Sequence, residues 1–190
     1  MNGKLVLFGG YDGSDYLDDT WEWDGNVWSQ RNVAGPPKRC FHSMAALGNN
    51  VVLFGGQNDA GIRGDMWEWD GRSWKERHAS AAPVARNCPA MTALSDKLVL
   101  FAGSSTGQVY SDTWEWDGRA WTQRNVTGPP GRTCATMAAF NGRTVLFGGN
   151  TLQGSTYVYF SDTWEWDGDS WSQANVSGPG ERTDATMASR

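Results

Sequence analysis

The sequence predicts an all-β fold in which four-stranded antiparallel sheets repeat around a common axis, an arrangement known as a β-propeller. The first observation is the motif W-E-W-D-G-x-x-W, which occurs four times and begins at Trp21, Trp67, Trp114 and Trp164. Successive copies lie 46, 47 and 50 residues apart, a period typical of propellers and solenoids. The second observation is that turn residues recur about every eight to twelve positions, whereas helical periodicity is never sustained.

Each repeat supplies four candidate strands, which we label A to D in chain order. Strand A follows a recurring arginine, as in CFHSMAAL, and strand B is an apolar run such as KLVLF that suits burial on both faces. Strand C is TWEW or its equivalent, where alternation places both tryptophans on one face and the glutamate on the other. Asp24-Gly25 and its repeats favour a tight hairpin turn into strand D, as in NVWSQ.

These elements together resemble the kelch repeat. The shared features are a double glycine after strand B, an aromatic residue in strand C, a tryptophan in strand D and an arginine that opens the next strand A. Tryptophan stands where kelch repeats usually have tyrosine, and Ala102 interrupts one double glycine. The resemblance covers the whole chain and implies one propeller unit over residues 1–190. The predicted blades are blade 1 at 3–33 plus 182–189, blade 2 at 39–80, blade 3 at 86–126 and blade 4 at 132–176.

The manner of ring closure has three possible solutions. The chain opens on strand B of its first blade and ends on a lone strand A, TDATMAS, so the two terminal segments together would complete one blade. Their pairing could close a four-bladed monomer, or two chains could exchange them in an eight-bladed homodimer. The chain could also belong to a longer propeller, because kelch rings usually hold six or seven blades. Closure geometry favours the homodimer, since four blades would need about a right angle between successive sheets.

Composition argues against several kinds of partner. The chain carries a formal charge of −5 and has a pI near 4.9, whereas nucleic acids and anionic membranes attract basic surfaces. The apolar runs are far shorter than a membrane span, and MNGKLVLFGG lacks the features of a signal peptide. Cys40, Cys88 and Cys134 form no C-x-x-C pair and do not indicate a disulfide framework. We expect a cytoplasmic protein that binds neither nucleic acid nor membrane and uses no cofactor.

The first candidate site is the longest loop between strands B and C. Alternation of strands places the tight A–B and C–D turns on one side and the longer loops on the other, where function is expected. The loop NTLQGSTYVYFSD contains Tyr157, Tyr159 and Phe160, which could form a ridge that binds a protein or a glycan. The alternative is that these rings cover the core beneath the loop.

The second candidate site is the mouth of the propeller axis. Kelch proteins that bind peptides use side chains two places after the repeat arginine, and the resemblance assigns that position to Phe41, Cys88, Cys134 and Asp184. The basic residues with which such sites hold acidic peptides are missing, so a carboxylate-rich ligand is disfavoured. The thiols and the carboxylate, with His42 nearby, have metal-ligand chemistry. No spacing motif supports a metal site, however, and thiols of inner strands are usually apolar fillers, so we predict none.

Catalytic signatures are sparse, with two histidines and neither a G-x-S-x-G nor a P-loop motif. The repeated arginines, beginning at Arg39, and the repeated aspartates before strand C, beginning at Asp19, favour charge-assisted ion pairs within or between blades. The sequence therefore predicts a non-enzymatic binding or assembly scaffold that acts through its long-loop face. Two alternatives stay open at this point: a carbohydrate-active propeller or the propeller part of a larger enzyme, and a repeat-amplified or designed structural propeller without a ligand.

Overall fold

A computed structural model describes residues 3–189, and every regular element in that range is a strand, so the all-β prediction is confirmed. Within these residues there is no helix of the length and apolarity needed to cross a membrane. The main strands form four antiparallel meanders, which we call sheets 1 to 4 in chain order. Sheet 1 has three strands and the other sheets have four each.

The strands follow one another in the predicted order. Sheet 1 contains β1 (Leu5–Tyr11), β2 (Tyr16–Trp23) and β3 (Trp28–Arg31). Next come β4 (Ser43–Leu47), β5 (Asn50–Phe54), a short hairpin of β6 (Gln57–Asn58) and β7 (Gly61–Ile62), then β8 (Met66–Trp69) and β9 (Trp74–Arg77). Sheet 2 is formed by β4, β5, β8 and β9. The hairpin lies between its second and third strands.

Sheets 3 and 4 repeat this plan. The third repeat contains β10 (Ala90–Leu94), β11 (Lys97–Phe101), the hairpin strands β12 (Ser104–Ser105) and β13 (Gln108–Val109), β14 (Thr113–Trp116) and β15 (Trp121–Arg124). The fourth contains β16 (Thr136–Phe140), β17 (Arg143–Phe147), the hairpin strands β18 (Asn150–Gln153) and β19 (Thr156–Tyr159), β20 (Thr163–Trp166) and β21 (Trp171–Ala174). Omitting the hairpins, these strands form sheets 3 and 4.

The Asp-Gly turn sets the register of the last two strands in every sheet. In sheet 2, the Asp70 carboxylate accepts backbone hydrogen bonds from Arg72 and Ser73, each at 2.8 Å. This turn places Trp69 directly opposite Trp74, with ring centroids 5.5 Å apart. The other three sheets have the same tryptophan pair at the same centroid distance.

Three hydrophobic cores join successive sheets, and each contains a pair of tryptophans from the later sheet. Trp69 and Trp74 of sheet 2 pack with Phe8 of sheet 1. Trp116 and Trp121 pack against sheet 2, and Trp166 and Trp171 pack against sheet 3. Because each buried large aromatic side chain contributes about 2–3 kcal/mol, the pairs provide much of the inter-sheet stability.

Hydrogen bonds from the indoles orient two of these three interfaces. Between sheets 1 and 2, the Trp69 Nε1 donates to Glu22 at 3.2 Å and the Trp74 Nε1 donates to Thr20 at 2.9 Å. The equivalent bonds join sheets 3 and 4. Between sheets 2 and 3 the threonine position is occupied by Met66, and the Trp116 and Trp121 indole nitrogens are buried without a hydrogen-bond partner. The tryptophans of the middle interface therefore contribute by packing, without indole hydrogen bonds.

The predicted completion of blade 1 by residues 182–189 is not formed within the described part of the chain, where sheet 1 remains three-stranded. Residues 183–189 form no strand, and the segment instead follows sheet 4. Arg182 donates its backbone N–H to Phe160, and Asp184 donates its own to Cys134. Trp28 of sheet 1 is 44% exposed, whereas its counterpart Trp74, which packs against the preceding sheet, is 7% exposed. The number of blades in a complete ring stays a prediction.

Candidate functional site

The connections between the second and third strands of sheets 2, 3 and 4 are two-stranded hairpins, although the sequence suggested only loops. The hairpins β6–β7 and β12–β13 have two residues in each strand, whereas β18–β19 has four. The extra residues of the fourth repeat therefore lengthen a hairpin that every complete sheet carries. No residue from Asn150 to Phe160 is charged. The long hairpin is thus an uncharged surface on an acidic protein.

The structure divides the three predicted aromatic contact residues into two groups. Tyr157 and Tyr159 are 62% and 42% exposed, and their ring centroids lie 6.4 Å apart. Leu152, which pairs with Tyr157 across the hairpin, is also exposed. Phe160 is half-buried, and its ring centroid lies 4.0 Å from the guanidinium carbon of Arg132. Phe160 therefore packs against the sheet, while Leu152, Tyr157 and Tyr159 form the solvent-facing ridge.

The four predicted axial residues occupy equivalent places on a continuous backbone ladder. Cys88 donates its N–H to the Phe41 carbonyl at 2.8 Å, Cys134 donates to Cys88 at 3.2 Å, and Asp184 donates to Cys134 at 3.1 Å. All four residues have a backbone φ between 47° and 57°, a region that residues other than glycine rarely adopt. The ladder thus holds an uncommon backbone conformation and places equivalent residues of successive repeats next to one another.

Three of the axial side chains converge. The two sulfur atoms of Cys88 and Cys134 and a carboxylate oxygen of Asp184 lie within 4.8 Å of one another. Both cysteines are free thiols, and the Thr133 hydroxyl lies 3.7 Å from the Cys134 sulfur. The three groups line a cavity of about 190 Å³. Phe41 also lines this cavity but is 51% exposed and offers no ligand atom.

The neighbouring thiols of Cys88 and Cys134 have different pKa values. The Cys88 thiol donates to the Cys134 sulfur and thereby lowers the pKa of Cys134. The same hydrogen bond, together with burial, raises the pKa of Cys88. Cys134 is therefore the more readily ionised of the two thiols. A thiol that ionises readily can act as a nucleophile or a metal ligand.

His42 lines the same cavity without joining the thiol cluster. Its Nδ1 is buried without a hydrogen-bond partner, and its ring makes an edge contact with Phe8, with centroids 5.8 Å apart. Burial and the nearby Arg39 charge lower the pKa of His42 to about 4, although the Phe8 backbone acts in the opposite direction. The imidazole is therefore neutral at physiological pH.

The predicted arginine–aspartate pairs are confirmed in three repeats. Arg86 is completely buried, and its guanidinium donates two hydrogen bonds to Asp112, at 2.6 and 2.8 Å. It also donates to the carbonyls of Ala102 and Val84, at 2.8 and 3.0 Å. Arg39 with Asp65 and Arg132 with Asp162 repeat this arrangement. We call each such pair a latch.

A fourth latch is split between the two ends of the chain. Asp19 occupies the aspartate position in sheet 1, and its Oδ1 is buried without a hydrogen-bond partner. Arg182 occupies the arginine position after sheet 4, where it is exposed. In each latch the arginine precedes its aspartate by 26 or 30 residues within the same predicted blade. The aspartate of sheet 1 and the last arginine, Arg182, are therefore both left over. Sequence reasoning did not single out this pair, although the offset is visible in the spacing of the repeats.

The repeated glutamates of strand C are also held by structural contacts. Glu115 is buried and accepts hydrogen bonds from Lys97 at 3.1 Å and from the Trp166 Nε1 at 3.3 Å. Arg124 lies 3.7 Å from the same carboxylate. These contacts give the glutamate a role in joining sheets 3 and 4.

Comparison with known families gives one match. A model of the KLHDC2/KLHL20/DRC7 Kelch-repeats domain matches residues 1–117, which is more than half of the chain. No curated protein matches the chain. The matched part contains Phe41 and Cys88, whereas Cys134, Asp184 and the long hairpin lie beyond it.

Proposed function

The chain belongs to the kelch-repeat family, and from this premise we propose that it is a non-catalytic scaffold that binds another protein through the hairpin β18–β19. Kelch repeat domains typically bind proteins. The observation that carries the proposal is the exposure of Tyr157 and Tyr159 on one uncharged hairpin. The other two hairpins, with two-residue strands, have no comparable aromatic pair.

The chemistry of this ridge favours an apolar segment of a partner protein. Tyrosine supplies a large contact area with few rotatable bonds and keeps a hydroxyl for hydrogen bonding, which explains its frequency among binding hot spots. The absence of charge from residues 150 to 160 gives no basis for recognition of phosphate or carboxylate groups. We therefore expect binding to depend weakly on salt concentration.

The proposal that the protein is not an enzyme is supported by the repeated acidic residues, which form ion pairs and hydrogen bonds with neighbouring side chains. Asp65, Asp112 and Asp162 are held by buried arginines, and Glu115 is held by two cations and an indole. A general acid or base needs freedom to exchange a proton with substrate. These carboxylates are instead committed to structural contacts.

The test is affinity capture with the wild-type chain, followed by measurement of binding to each purified partner. Replacement of both Tyr157 and Tyr159 by alanine should weaken binding by about tenfold or more, because hot-spot residues typically contribute more than about 1 kcal/mol each. Tyr11→Ala is the control, since Tyr11 is 55% exposed but lies outside the hairpin. Equal binding by the double variant and the control would refute the hairpin as the contact surface. A glycan array would reveal carbohydrate binding, which would contradict the choice of a protein ligand.

We further propose that a second copy of the chain completes the assembly, as an eight-bladed homodimer. Three features support this proposal. Asp19 and Arg182 are complementary halves of a latch. Among residues 3–189, no other sheet covers the Trp23 and Trp28 pair of sheet 1, and no tryptophan pair packs against Thr163 and Glu165 of sheet 4. The indole N–H donors of sheet 1 therefore match the hydroxyl and carboxylate acceptors of sheet 4.

A charge exchange tests this assembly. Arg182→Asp and Asp19→Arg should each convert the dimer to a monomer, and the double variant should restore the dimer because it rebuilds the pair with its polarity reversed. Light scattering measures the mass, for which the single chain is 20.9 kDa. A wild-type mass of 20.9 kDa at all concentrations would exclude the second copy. A dimer that both single variants leave intact would exclude the latch as its contact.

A further inference from the structure

We propose that Cys88, Cys134 and Asp184 form a binding site for a thiophilic metal ion, Zn²⁺, at the axial mouth. The first ground is proximity, because all three ligand atoms lie within 4.8 Å of one another. In a tetrahedral zinc site, Zn–S bonds of about 2.3 Å and Zn–O bonds of about 2.0–2.2 Å place the ligand atoms roughly 3.3–3.8 Å apart. The observed cluster needs only side-chain adjustment to reach that size.

The second ground is the way in which the backbone delivers these side chains. Each of the three residues stands at the same position of its repeat and is fixed by the axial ladder of hydrogen bonds, from Cys88 to Cys134 and from Cys134 to Asp184. The left-handed conformation is shared by all three, so their Cα–Cβ bonds leave the ladder in equivalent directions. A preformed arrangement lowers the cost of ordering the ligands when the metal binds.

The third ground is the choice of ligands. Two thiolates and one carboxylate are characteristic donors for zinc, and thiolates disfavour Mg²⁺ and Ca²⁺, which prefer oxygen. Phe41 supplies no fourth ligand, and the 190 Å³ cavity that it lines has room for a water molecule in that place. The Thr133 hydroxyl, 3.7 Å from the Cys134 sulfur, is placed to support that ligand from outside the coordination sphere.

Binding replaces the thiol protons of Cys88 and Cys134 by two sulfur–zinc bonds and releases both protons to solvent. The resulting centre, Zn²⁺ with two thiolates and one carboxylate, has a net charge of −1. Affinity must therefore fall as pH decreases, because protons compete with the metal for both sulfur atoms. A reducing compartment, such as the cytoplasm in which we expect the protein, keeps the two thiols available.

The experiment uses Co²⁺ as a spectroscopic probe and Zn²⁺ in competition with a chromogenic chelator, on the reduced chain of residues 1–190. The wild-type chain should bind one Co²⁺ with sulfur-to-metal charge-transfer absorption and the visible bands of tetrahedral cobalt, and Zn²⁺ should displace it. Cys88→Ser and Cys134→Ser should each remove one of the two thiolate ligands, so neither variant should show the charge-transfer absorption expected for two thiolates. Asp184→Asn, which keeps the shape of the side chain, should weaken binding by about tenfold or more.

Cys40→Ser provides the matched control, because Cys40 is the remaining cysteine and is not part of the axial cluster. Its cobalt spectrum and zinc affinity should equal those of the wild-type chain. Circular dichroism of each variant without metal separates a lost ligand from a lost fold. The proposal is overturned if the reduced wild-type chain binds no cobalt, if Cys88→Ser binds it as tightly as the wild type, or if Cys40→Ser weakens binding equally.

Discussion

Replacement of Asp112 by asparagine tests the energetic role of the latch. The substitution removes the negative charge opposite Arg86, whose side chain has no solvent exposure. Arg86 would retain the carbonyls of Ala102 and Val84 as acceptors but would lose its only ion-pair partner among the described residues. Removing one partner of a buried pair costs about 3–5 kcal/mol, because the remaining charge is left without compensation. A chain of this size loses about 2–4 °C of melting temperature for each kcal/mol, so the melting temperature should fall by about 6–20 °C.

The assay is urea unfolding followed by tryptophan fluorescence, at a concentration at which the chain is monomeric. Asp19→Asn is the matched control, since Asp19 is the same position in the repeat but has no arginine opposite it in this structure. Its Oδ2 accepts a hydrogen bond from Trp21, which asparagine can preserve. We expect the control to change the free energy of unfolding by less than about 1 kcal/mol. A cost below about 1 kcal/mol for Asp112→Asn, or equal costs for the two variants, would refute the reasoning.

The same latch has a defined acid dependence. Burial opposes ionisation of Asp112, but the hydrogen bonds and charge of Arg86 outweigh it and lower the pKa of Asp112 below 3.8. A carboxylate whose pKa is lower in the folded state contributes stability that is fully present above its unfolded pKa. That contribution is lost as the pH falls below 3.8 and through the folded pKa. Asp112→Asn should therefore be less sensitive to acid in this range than the wild-type chain.

Two further predictions concern the sheet interfaces and the buried imidazole. Thr113→Val removes the hydroxyl that accepts a hydrogen bond from the Trp171 Nε1 at 2.9 Å, and should lower the free energy of unfolding by about 1–3 kcal/mol. Thr163→Val, at the same position of sheet 4, should change the free energy of unfolding by less than about 0.5 kcal/mol. Equal effects of the two substitutions would show that the hydrogen bond does not stabilise the interface. His42 has a folded pKa of about 4 against 6.5 when unfolded, so the unfolded state binds the proton first and up to about 3 kcal/mol of stability is lost as pH falls from 6.5 to 4. His42→Gln should remove that loss and the exposed-site control His78→Gln should retain it; identical acid profiles for the two variants would contradict the assignment.

Much of the fold could be predicted because the same structural signals occur in every repeat. Asp70-Gly71 specifies its turn by local hydrogen bonds, and the period-two alternation of Trp67, Glu68 and Trp69 specifies which side chains face the next sheet. Such signals depend on near neighbours in the chain. The hairpin β6–β7 was missed because two-residue strands are too short to show a period, although Gly61 at its turn is a local signal that could have been used.

The resemblance to kelch repeats grouped the four axial residues, but the close approach of the Cys88, Cys134 and Asp184 side chains could not be derived from sequence. Cys88 and Cys134 are separated by a whole repeat, and their approach depends on a left-handed conformation that cysteine rarely adopts. No local sequence signal predicts it. The two alternatives for Phe160 could not be separated from sequence for a related reason, because its neighbour Arg132 is distant in sequence and only the fold shows that the ring covers the guanidinium.

The split latch also has a consequence for the polymeric state of the protein. Each chain bears the aspartate half at sheet 1 and the arginine half after sheet 4, so a contact between copies is head-to-tail and leaves one free half at each end of any open chain of copies. Such a contact terminates only when the rotation added by each copy divides a full turn evenly. Any other rotation adds copies without limit and yields a helical filament. For the assembly proposed above, the angle between neighbouring sheets therefore determines whether the copies form a finite ring or a fibre.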